Sequence, residues 1–242
     1  MRSSILGQPI DIVSIDEAVD LAKNAFQNLC QLKIITINPE MVINASKNLE
    51  FQSALNNSHL IVPDGTGIVW ALKLNGNTFV KRVPGIELAK RILDIANKLS
   101  KKVAIFGGRK EVLEKIVNRF KRIYPKIDIV KAVDGYQGEE KYDEVAEAIS
   151  QTKPDFVLVA LGTPRQEIWI NRYSERFPKS IMIGIGGSLD VWSGRKRRAP
   201  KWVRNMSLEW LFRIINEPKR ISRVLKSLPC FIFAVIKNKI FR

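Results

Sequence analysis

The stretch Leu60-Ile61-Val62-Pro63-Asp64-Gly65-Thr66-Gly67 sets a carboxylate directly behind a short apolar run. The run is typical of a buried strand, the proline ends backbone pairing, and the two glycines permit a tight turn into a helix predicted over 68–74. Ligands of open α/β sheets bind at the carboxyl ends of strands, which makes Asp64 a candidate site residue. Alternatively, Asp64 only caps the helix that follows, because aspartate is a preferred N-cap residue.

Apolar strand patterns alternate with helical patterns along the rest of the chain. After a small hairpin over 5–13, the predicted strands are 32–37, 60–62, 103–106, 127–132, 156–161 and 181–185. The predicted helices are 15–29, 40–47, 49–57, 68–74, 111–124, 139–151 and 164–177, and a further helix begins near residue 86. This alternation is typical of a Rossmann-like, doubly wound α/β fold with a mainly parallel sheet.

Four of the later strand ends carry glycines or polar residues. They are Gly107-Gly108, Asp134-Gly135-Tyr136, Gly162-Thr163-Pro164-Arg165-Gln166-Glu167 and the segment 184–190. The carboxyl ends of parallel strands meet at one sheet edge, where glycines permit close backbone approach and helix N-termini favour anions. We therefore predict a nucleotide at this edge, bound by Gly107, Gly108, Tyr136, Gly162 and Asp190. The alternative is that these glycines serve only compact turns.

The sequence lacks the fingerprints of several other enzyme classes. No strand is followed by GxGxxG and there is no GxxxxGK[ST], which argues against an NAD enzyme and a P-loop enzyme. His59, the only histidine, stands beside an apolar strand start and is interpreted as structural, so Ser-His and Cys-His chemistry lacks its base. Cys30 and Cys230 lie far apart with no CxxC, which indicates neither a disulfide framework nor a cysteine metal site. We expect no cofactor and no metal.

The net charge of +16 is concentrated near the C-terminus. Residues 195–242 hold 14 lysines and arginines against Glu209 and Glu217, so this segment carries +12. We divide the chain into an α/β core over 1–194 and a basic, helical C-terminal appendage over 195–242. Charge alone does not decide whether the appendage meets nucleic acid, anionic lipid or a phosphorylated substrate. Its apolar stretch 228–236 is shorter than the roughly 20 residues that span a bilayer and fits a segment lying at an anionic membrane surface.

A set of short motifs, taken in order, resembles the WecG/TagA/CpsF family of bacterial glycosyltransferases, glycosyltransferase family 26. The motifs are Asn38-Pro39-Glu40, Pro63-Asp64-Gly65-Thr66-Gly67, Arg82-Val83-Pro84-Gly85, Phe106-Gly107-Gly108, Gly162-Thr163-Pro164-Arg165-Gln166-Glu167, the segment 184–190, Arg198-Ala199-Pro200, Glu209-Trp210-Leu211-Phe212-Arg213 and Glu217-Pro218-Lys219-Arg220. Each motif is weak alone, whereas the ordered set is specific and extends from about residue 5 to residue 225.

The resemblance implies a reaction. It is the transfer of an N-acetylmannosamine-type sugar from UDP to a GlcNAc carried on undecaprenyl diphosphate, with inversion and without a metal. Enzymes of the TagA branch make the linkage unit of wall teichoic acid. Transfer of ManNAcA or glucose in another cell-surface polysaccharide pathway is the alternative.

Inverting transfer needs a base for the acceptor hydroxyl and positive groups for the departing UDP. Asp64 is the candidate base. Thr36 and Asn38, which share one face at a neighbouring strand end, are candidates to hold sugar hydroxyls, and Gln166 is a candidate to meet the nucleotide sugar. The candidates for binding the diphosphate are Arg82, Arg213, Arg220 and Arg223.

Two interpretations compete with a lipid-dependent transferase. A nucleic-acid-binding protein is supported by the basic appendage with Trp202 and Trp210, but the excess charge does not extend over the core and the apolar stretch 228–236 has no use in a DNA groove. A nucleotide-sugar enzyme with a soluble acceptor, such as an epimerase, does not explain the lipid-facing appendage.

The expected location is the inner face of the cell membrane. Residues 1–11 contain no apolar signal segment, so we expect a cytoplasmic protein that is attached peripherally through its appendage. We further expect the appendage to be mobile and to complete the active site only when it folds against the core. The formation of a homo-oligomer is left open.

Overall fold

The computed structural model describes residues 1–217 and 221–240, without the side chains of Asn205, Ser222 and Arg223. The strands are β1 (Arg2–Ile5), β2 (Gln8–Asp11), β3 (Leu32–Ile37), β4 (Leu60–Pro63), β5 (Lys102–Gly107), β6 (Asp128–Val133), β7 (Phe156–Ala160) and β8 (Ile181–Gly184). The helices are α1 (Ile15–Asn28), α2 (Pro39–Ala45), α3 (Leu49–Asn56), α4 (Thr66–Leu74), α5 (Gly85–Lys98), α6 (Lys110–Ile123), α7 (Tyr142–Ser150), α8 (Arg165–Tyr173), α9 (Ser188–Trp192), α10 (Lys201–Asn205), α11 (Glu209–Asn216) and α12 (Ile221–Ile240). Short 3-10 helices cover Glu139–Lys141 and Ser174–Arg176.

Within the described residues, β3 to β8 form one six-stranded parallel sheet in the order β4-β3-β8-β7-β5-β6. Helices pack on both faces of this sheet. The predicted Rossmann-like, doubly wound α/β fold is confirmed. The order of the strands places the carboxyl ends of β4, β3, β8 and β7 side by side, and this edge carries the candidate site.

Successive residues of the central strands pack into different layers. Ile34 of β3 and Val62 of β4 join an apolar cluster with α1, α5 and α6, whereas Ile35 and Ile61 join a second cluster with α2, α3 and α4. A third cluster packs α7 and α8 against β5 and β7. Because both faces of the sheet are buried at β7 and β8, these strands have continuous apolar runs rather than alternating patterns.

The N-terminal hairpin covers one border of the sheet. β1 and β2 pair in antiparallel register, so a hairpin is present but spans 2–11 and not the predicted 5–13. The Arg2 guanidinium lies 2.8 Å from the Asp11 carboxylate. The second carboxylate oxygen of Asp11 accepts a hydrogen bond from the Ile61 N–H at 2.8 Å. The hairpin therefore contacts β4, which is the first strand of the sheet order.

The end of β4 differs from the expectation that Pro63 ends backbone pairing. Pro63 pairs with Ile37 in the parallel register, and the Asp64 N–H donates to the Ile37 carbonyl at 2.8 Å. The Pro63 carbonyl accepts from the Val83 N–H, also at 2.8 Å. Proline removes only its own N–H, so its carbonyl and the next N–H still bond to neighbouring segments. These bonds hold Asp64 at the sheet edge.

The helix α12 packs against α2 and α4 of the core. Its Phe231 is 0% exposed and its Val235 is 4% exposed, and both belong to the apolar cluster of α2, α3 and α4. The apolar stretch 228–236 lies inside α12, which continues through Pro229. In the described part of the chain, no helix is both long enough and apolar enough to cross a membrane. The mobility expected of the appendage stays a prediction.

We expect Phe231→Ala to detach α12 from the core, because removing a buried phenylalanine ring costs about 3 to 5 kcal/mol. Limited digestion with trypsin, which cuts after the exposed lysines of α12, should then cleave the appendage faster than in the wild-type protein. The matched control is Phe233→Ala on the same helix, since Phe233 is 69% exposed and its removal should leave the rate unchanged. Equal cleavage rates in the two variants would contradict this packing.

Candidate active site

A cleft of about 240 Å³ opens between the carboxyl ends of β3, β4, β7 and β8 and the appendage. Seven of the residues predicted from the sequence line this cleft: Thr36, Asn38, Asp64, Arg82, Gly162, Gln166 and Arg213. Arg213 belongs to α11, whereas the other six come from the core. The cleft is therefore built from both parts of the chain.

Thr36 and Asn38 stand at the end of β3. A Cβ atom on Gly85 would lie 2.8 Å from the Thr36 hydroxyl oxygen, so glycine at this position lets the start of α5 approach β3. The Asn38 Oδ1 accepts from the Met41 N–H at 3.1 Å and caps α2. Because this oxygen is engaged, the N–H groups of the Asn38 amide are the ones that remain for a ligand.

The Asp64 carboxylate accepts three hydrogen bonds from the described residues. Arg82 Nε and Nη2 donate to Oδ1 at 3.1 and 3.0 Å, and the Gly85 N–H donates to Oδ2 at 3.1 Å. A carboxylate oxygen has about two acceptor positions, so Oδ1 is fully engaged and Oδ2 keeps one lone pair. The side chain is 27% exposed, which allows a ligand to reach it. Oδ2 is thus the oxygen available to take a proton.

The alternative role of Asp64, capping of the helix that follows it, is wrong. Gly65 is the N-cap residue of α4, and this helix start has no side-chain capping bond. Asp64 instead bonds the N–H of Gly85, the first residue of α5. A negative charge is favourable there because helix N-termini carry partial positive charge. Asp64 therefore connects the end of β4 to the start of α5.

Arg82 lies between two carboxylates. Its Nη2 also donates to Glu209 Oε2 at 3.0 Å, and Arg213 Nη2 donates to Glu209 Oε1 at 2.8 Å. Burial lowers the pKa of Arg82, but the charges and hydrogen bonds of Asp64 and Glu209 outweigh it and raise the pKa overall. Burial raises the pKa of Glu209, but nearby arginines lower it overall, chiefly Arg213 and Arg82. Arg82 and Glu209 are therefore both charged at neutral pH.

Further ion pairs connect the appendage to the core. Glu87 of α5 accepts from Arg198 at 2.8 Å and from Arg204 at 2.7 Å. Lys196 lies 3.3 Å from the Asp190 carboxylate. Glu87 and Glu209 had no role in the predicted site, because a single glutamate in a helical pattern usually lies on a solvated face. The sequence signal that could have identified Glu209 is its place in the motif Glu209-Trp210-Leu211-Phe212-Arg213.

Gln166 is 4% exposed and lies at the floor of the cleft. Its Oε1 accepts from the Gly186 N–H at 2.9 Å, and its Nε2 donates to Glu167 Oε1 at 2.7 Å. A backbone N–H needs an acceptor, so this pair of bonds fixes the orientation of the amide and leaves one N–H for a ligand. A Cβ atom on Gly184 would lie 2.6 Å from Nε2, so glycine there makes room for the amide.

Glu167 is a buried acid directly beside the cleft. Its Oε1 also accepts from the Thr163 hydroxyl at 3.3 Å, while Oε2 has no hydrogen-bond partner among the described residues. Burial raises the pKa of Glu167 to about 7, against the opposing effect of the hydrogen bonds from Gln166 and Thr163. Glu167 had no separate role in the predicted site, although it follows Gln166 directly at a helix start.

Four predicted nucleotide-binding residues do not line this cleft. Gly107 and Gly108 lie at the end of β5, and Tyr136 follows β6 and is 72% exposed. Asp190 belongs to α9 and lies 3.2 Å from the Arg195 guanidinium. Gly107, Gly108 and Tyr136 continue the carboxyl edge of the sheet away from Asp64, whereas Asp190 lies behind Lys196, which lines the cleft. Their role in nucleotide binding stays a prediction.

Two predicted arginines cannot be assigned a position at the cleft. Arg220 lies outside the described residues, and the side chain of Arg223 lies outside them as well. Their role in substrate binding stays a prediction. Across residues 1–217 and 221–240, no group of three or more histidine, cysteine, aspartate or glutamate side chains is arranged to hold a metal ion.

A sequence model of the Glycosyl transferase WecG/TagA/CpsF family matches residues 3–242. The chain belongs to this family. A family member from Bacillus subtilis (strain 168), named N-acetylglucosaminyldiphosphoundecaprenol N-acetyl-beta-D-mannosaminyltransferase, is 39% identical over 206 residues, which cover 85% of this chain and 79% of that protein. A protein of the same name from Staphylococcus aureus (strain MW2) is 36% identical over 240 residues, or 98% of this chain and 93% of that protein.

The cleft of this WecG/TagA/CpsF glycosyltransferase can perform two kinds of chemistry. The lone pair on Asp64 Oδ2 can accept a proton from a hydroxyl group held within hydrogen-bond distance. The guanidinium group of Arg213 and the free N–H of Gln166 can bind a phosphate or another anion. Both functions are needed to move a sugar from a nucleoside diphosphate to an alcohol.

Glu167 should make the stability of the fold depend on pH. Its pKa of about 7 in the fold lies above the ordinary value of 4.5, so the folded state keeps a proton that the unfolded state releases between these values. This contribution to stability is fully present below about pH 4.5 and is lost as the pH rises through about 7.

We expect Glu167→Gln, which cannot ionise, to gain stability relative to the wild-type protein across this window. The gain should approach about 1.4 kcal/mol for each pH unit. Urea unfolding of both proteins near pH 5 and near pH 7.5 measures the difference. A difference in unfolding free energy that does not change with pH would contradict the raised pKa.

Proposed function

We propose that this glycosyltransferase moves N-acetylmannosamine from UDP to the GlcNAc of undecaprenyl-diphosphate-GlcNAc. One observation carries the proposal: a carboxylate with a free lone pair stands in an arginine-lined cleft. The names of relatives 36% to 39% identical to this chain state the sugar and the acceptor. The corresponding pathway role is the synthesis of the linkage unit of teichoic acid.

Asp64 is the proposed general base. Its Oδ2 takes the proton of the acceptor hydroxyl while the hydroxyl oxygen attacks the anomeric carbon of the donor sugar. The bond from that carbon to the diphosphate breaks on the opposite side, so the configuration inverts and the electron pair leaves with UDP. The Gly85 N–H and the Arg82 side chain keep the carboxylate oriented during this step.

Cationic side chains of the appendage are the proposed partners of the departing diphosphate. Those that line the cleft are Lys196, Arg197, Arg198 and Arg213. Charge-assisted hydrogen bonds from guanidinium groups are strong and can stabilise the negative charge that develops on the leaving group. We assign this role to protein cations and not to a metal ion.

We propose that the enzyme works at the inner face of the membrane. The outward side chains of α12 include Leu225, Phe233, Ile236 and Ile240, which are between 42% and 69% exposed. The exposed residues Lys226, Lys237 and Lys239 accompany them on this helix. Such a combination is typical of helices that lie at an anionic membrane surface. The lipid of the acceptor would stay in the bilayer while its sugar reaches the cleft.

A transfer assay tests the proposed reaction. Radiolabelled UDP-N-acetylmannosamine is incubated with a short-chain lipid-diphosphate-GlcNAc, and the label is followed into the lipid. UDP-glucose and the ManNAcA donor are offered in parallel. Transfer from the first donor supports the proposal, whereas transfer from only one of the others would assign the enzyme to a different polysaccharide pathway.

We expect Asp64→Asn to lower the turnover number by roughly 10²- to 10⁴-fold, because general-base catalysis typically contributes that much. The affinity for UDP, measured by calorimetry, should remain close to that of the wild-type protein, since the exchanged oxygen belongs to the base and not to a diphosphate ligand. Unchanged turnover would remove Asp64 from the mechanism.

We also expect transfer to continue after treatment with EDTA, because arginines and a lysine supply the positive charge at the cleft. The initial rate with EDTA should match the rate without it. A chelated and inactive enzyme that recovers on addition of Mg²⁺ or Mn²⁺ would show that a metal takes part.

A further inference from the structure

We propose that Glu209 is a positioning residue that keeps Arg82 from engaging both oxygens of Asp64. The inference rests on the proposed role of Asp64 as the general base. The inference adds that the base also needs one carboxylate of the appendage, Glu209, which had no function in the predicted site.

The surroundings of Glu209 are unusual for a glutamate. Its side chain is only 4% exposed, although burial of a carboxylate is unfavourable unless partners compensate for the lost water. Among the described residues, Arg82 and Arg213 donate hydrogen bonds to its two oxygens, and Arg198 Nε lies 3.9 Å away. Glu209 is thus a buried partner of arginines that line the cleft and not a solvated surface charge.

The hydrogen bonds of Arg82 depart from the common arrangement. Arginine and a carboxylate frequently form two parallel hydrogen bonds, one to each oxygen. Here Arg82 Nε and Nη2 both donate to Asp64 Oδ1, and Nη2 also donates to Glu209 Oε2 at 3.0 Å. The second N–H of Nη2 is therefore held by Glu209.

This sharing preserves the reactive oxygen of Asp64. If Glu209 lost its charge, the Arg82 guanidinium would be free to shift until Nη2 donates to Asp64 Oδ2 while Nε stays on Oδ1, which is the common parallel arrangement. In the described structure Oδ2 bonds only the Gly85 N–H. The last free lone pair of the base would then be occupied. Because Glu209 lies on α11, docking of the appendage and exposure of the base are coupled through one side chain.

The experiment compares Glu209→Gln with a matched control, Glu87→Gln. Glu87 also receives hydrogen bonds from two arginines of the appendage, Arg198 and Arg204, at 2.8 and 2.7 Å. Glu87 belongs to the core, pairs with the appendage and has no described bond to Arg82. Both variants weaken attachment of the appendage, whereas only Glu209→Gln changes the partners of Arg82.

Three quantities are measured for the wild-type protein and for each variant. They are kcat and KM with a short-chain lipid-diphosphate-GlcNAc, the affinity for UDP, and the rate at which trypsin cleaves the appendage. We expect Glu209→Gln to lower kcat at saturating acceptor by about tenfold or more, because it hinders the base and not binding. Glu87→Gln should keep kcat within about threefold, because a partly exposed ion pair contributes little.

Several results would overturn the proposal. One is an unchanged kcat in Glu209→Gln; another is a loss of kcat that follows the cleavage rate across both variants, since Glu209 would then only anchor the appendage. If Glu209→Gln does not fold, Glu209→Asp and Glu87→Asp provide the same comparison, and equal kcat values refute the positioning role. A wild-type protein that transfers no sugar would refute the proposed function itself, and an active wild-type protein separates the two failures.

Discussion

The guanidinium group of Arg82 joins the two parts of the chain. It donates to Asp64 at the end of β4 and to Glu209 of the appendage, at 3.0 Å in both cases. The backbone around it is fixed by two further bonds, from the Val83 N–H to Pro63 and from the Gly85 N–H to Asp64. A single short loop thus aligns the sheet edge, the start of α5 and the appendage, and the shape of the cleft depends on its geometry.

Much of the fold could be predicted because the sheet is parallel and buried. Strands such as β7 and β8 form continuous apolar runs, and helices such as α5 and α6 have clear amphipathic patterns. The same regularity explains why Thr36, Asp64 and Gln166 could be assigned to one edge before any contact was known. The contacts of individual residues were predicted less well. Pro63 still pairs with β3, and Asp64 bonds the start of α5 and not the start of α4, the helix that follows it.

Two features of the site have no local signal in the sequence. The first is the set of ion pairs across long separations: Glu87 and Arg198 are 111 residues apart, and Arg82 and Glu209 are 127 apart. The second is the order of the strands. Because β5 and β6 lie beyond β7, Gly107 and Tyr136 stand away from Asp64, although their sequence pattern resembles that of the residues at the cleft. Only tertiary pairing decides these distances.

The contact between Asp11 and Ile61 bears on the solubility of the protein. β4 is a border strand, and free N–H groups on such strands readily recruit strands from other molecules. Asp11 occupies one of these groups with a charged side chain, and β2 covers the border of β4, the strand that leads to Asp64. The N-terminal hairpin therefore protects β4 from edge-to-edge aggregation, and its removal would expose an unpaired strand border next to the candidate site.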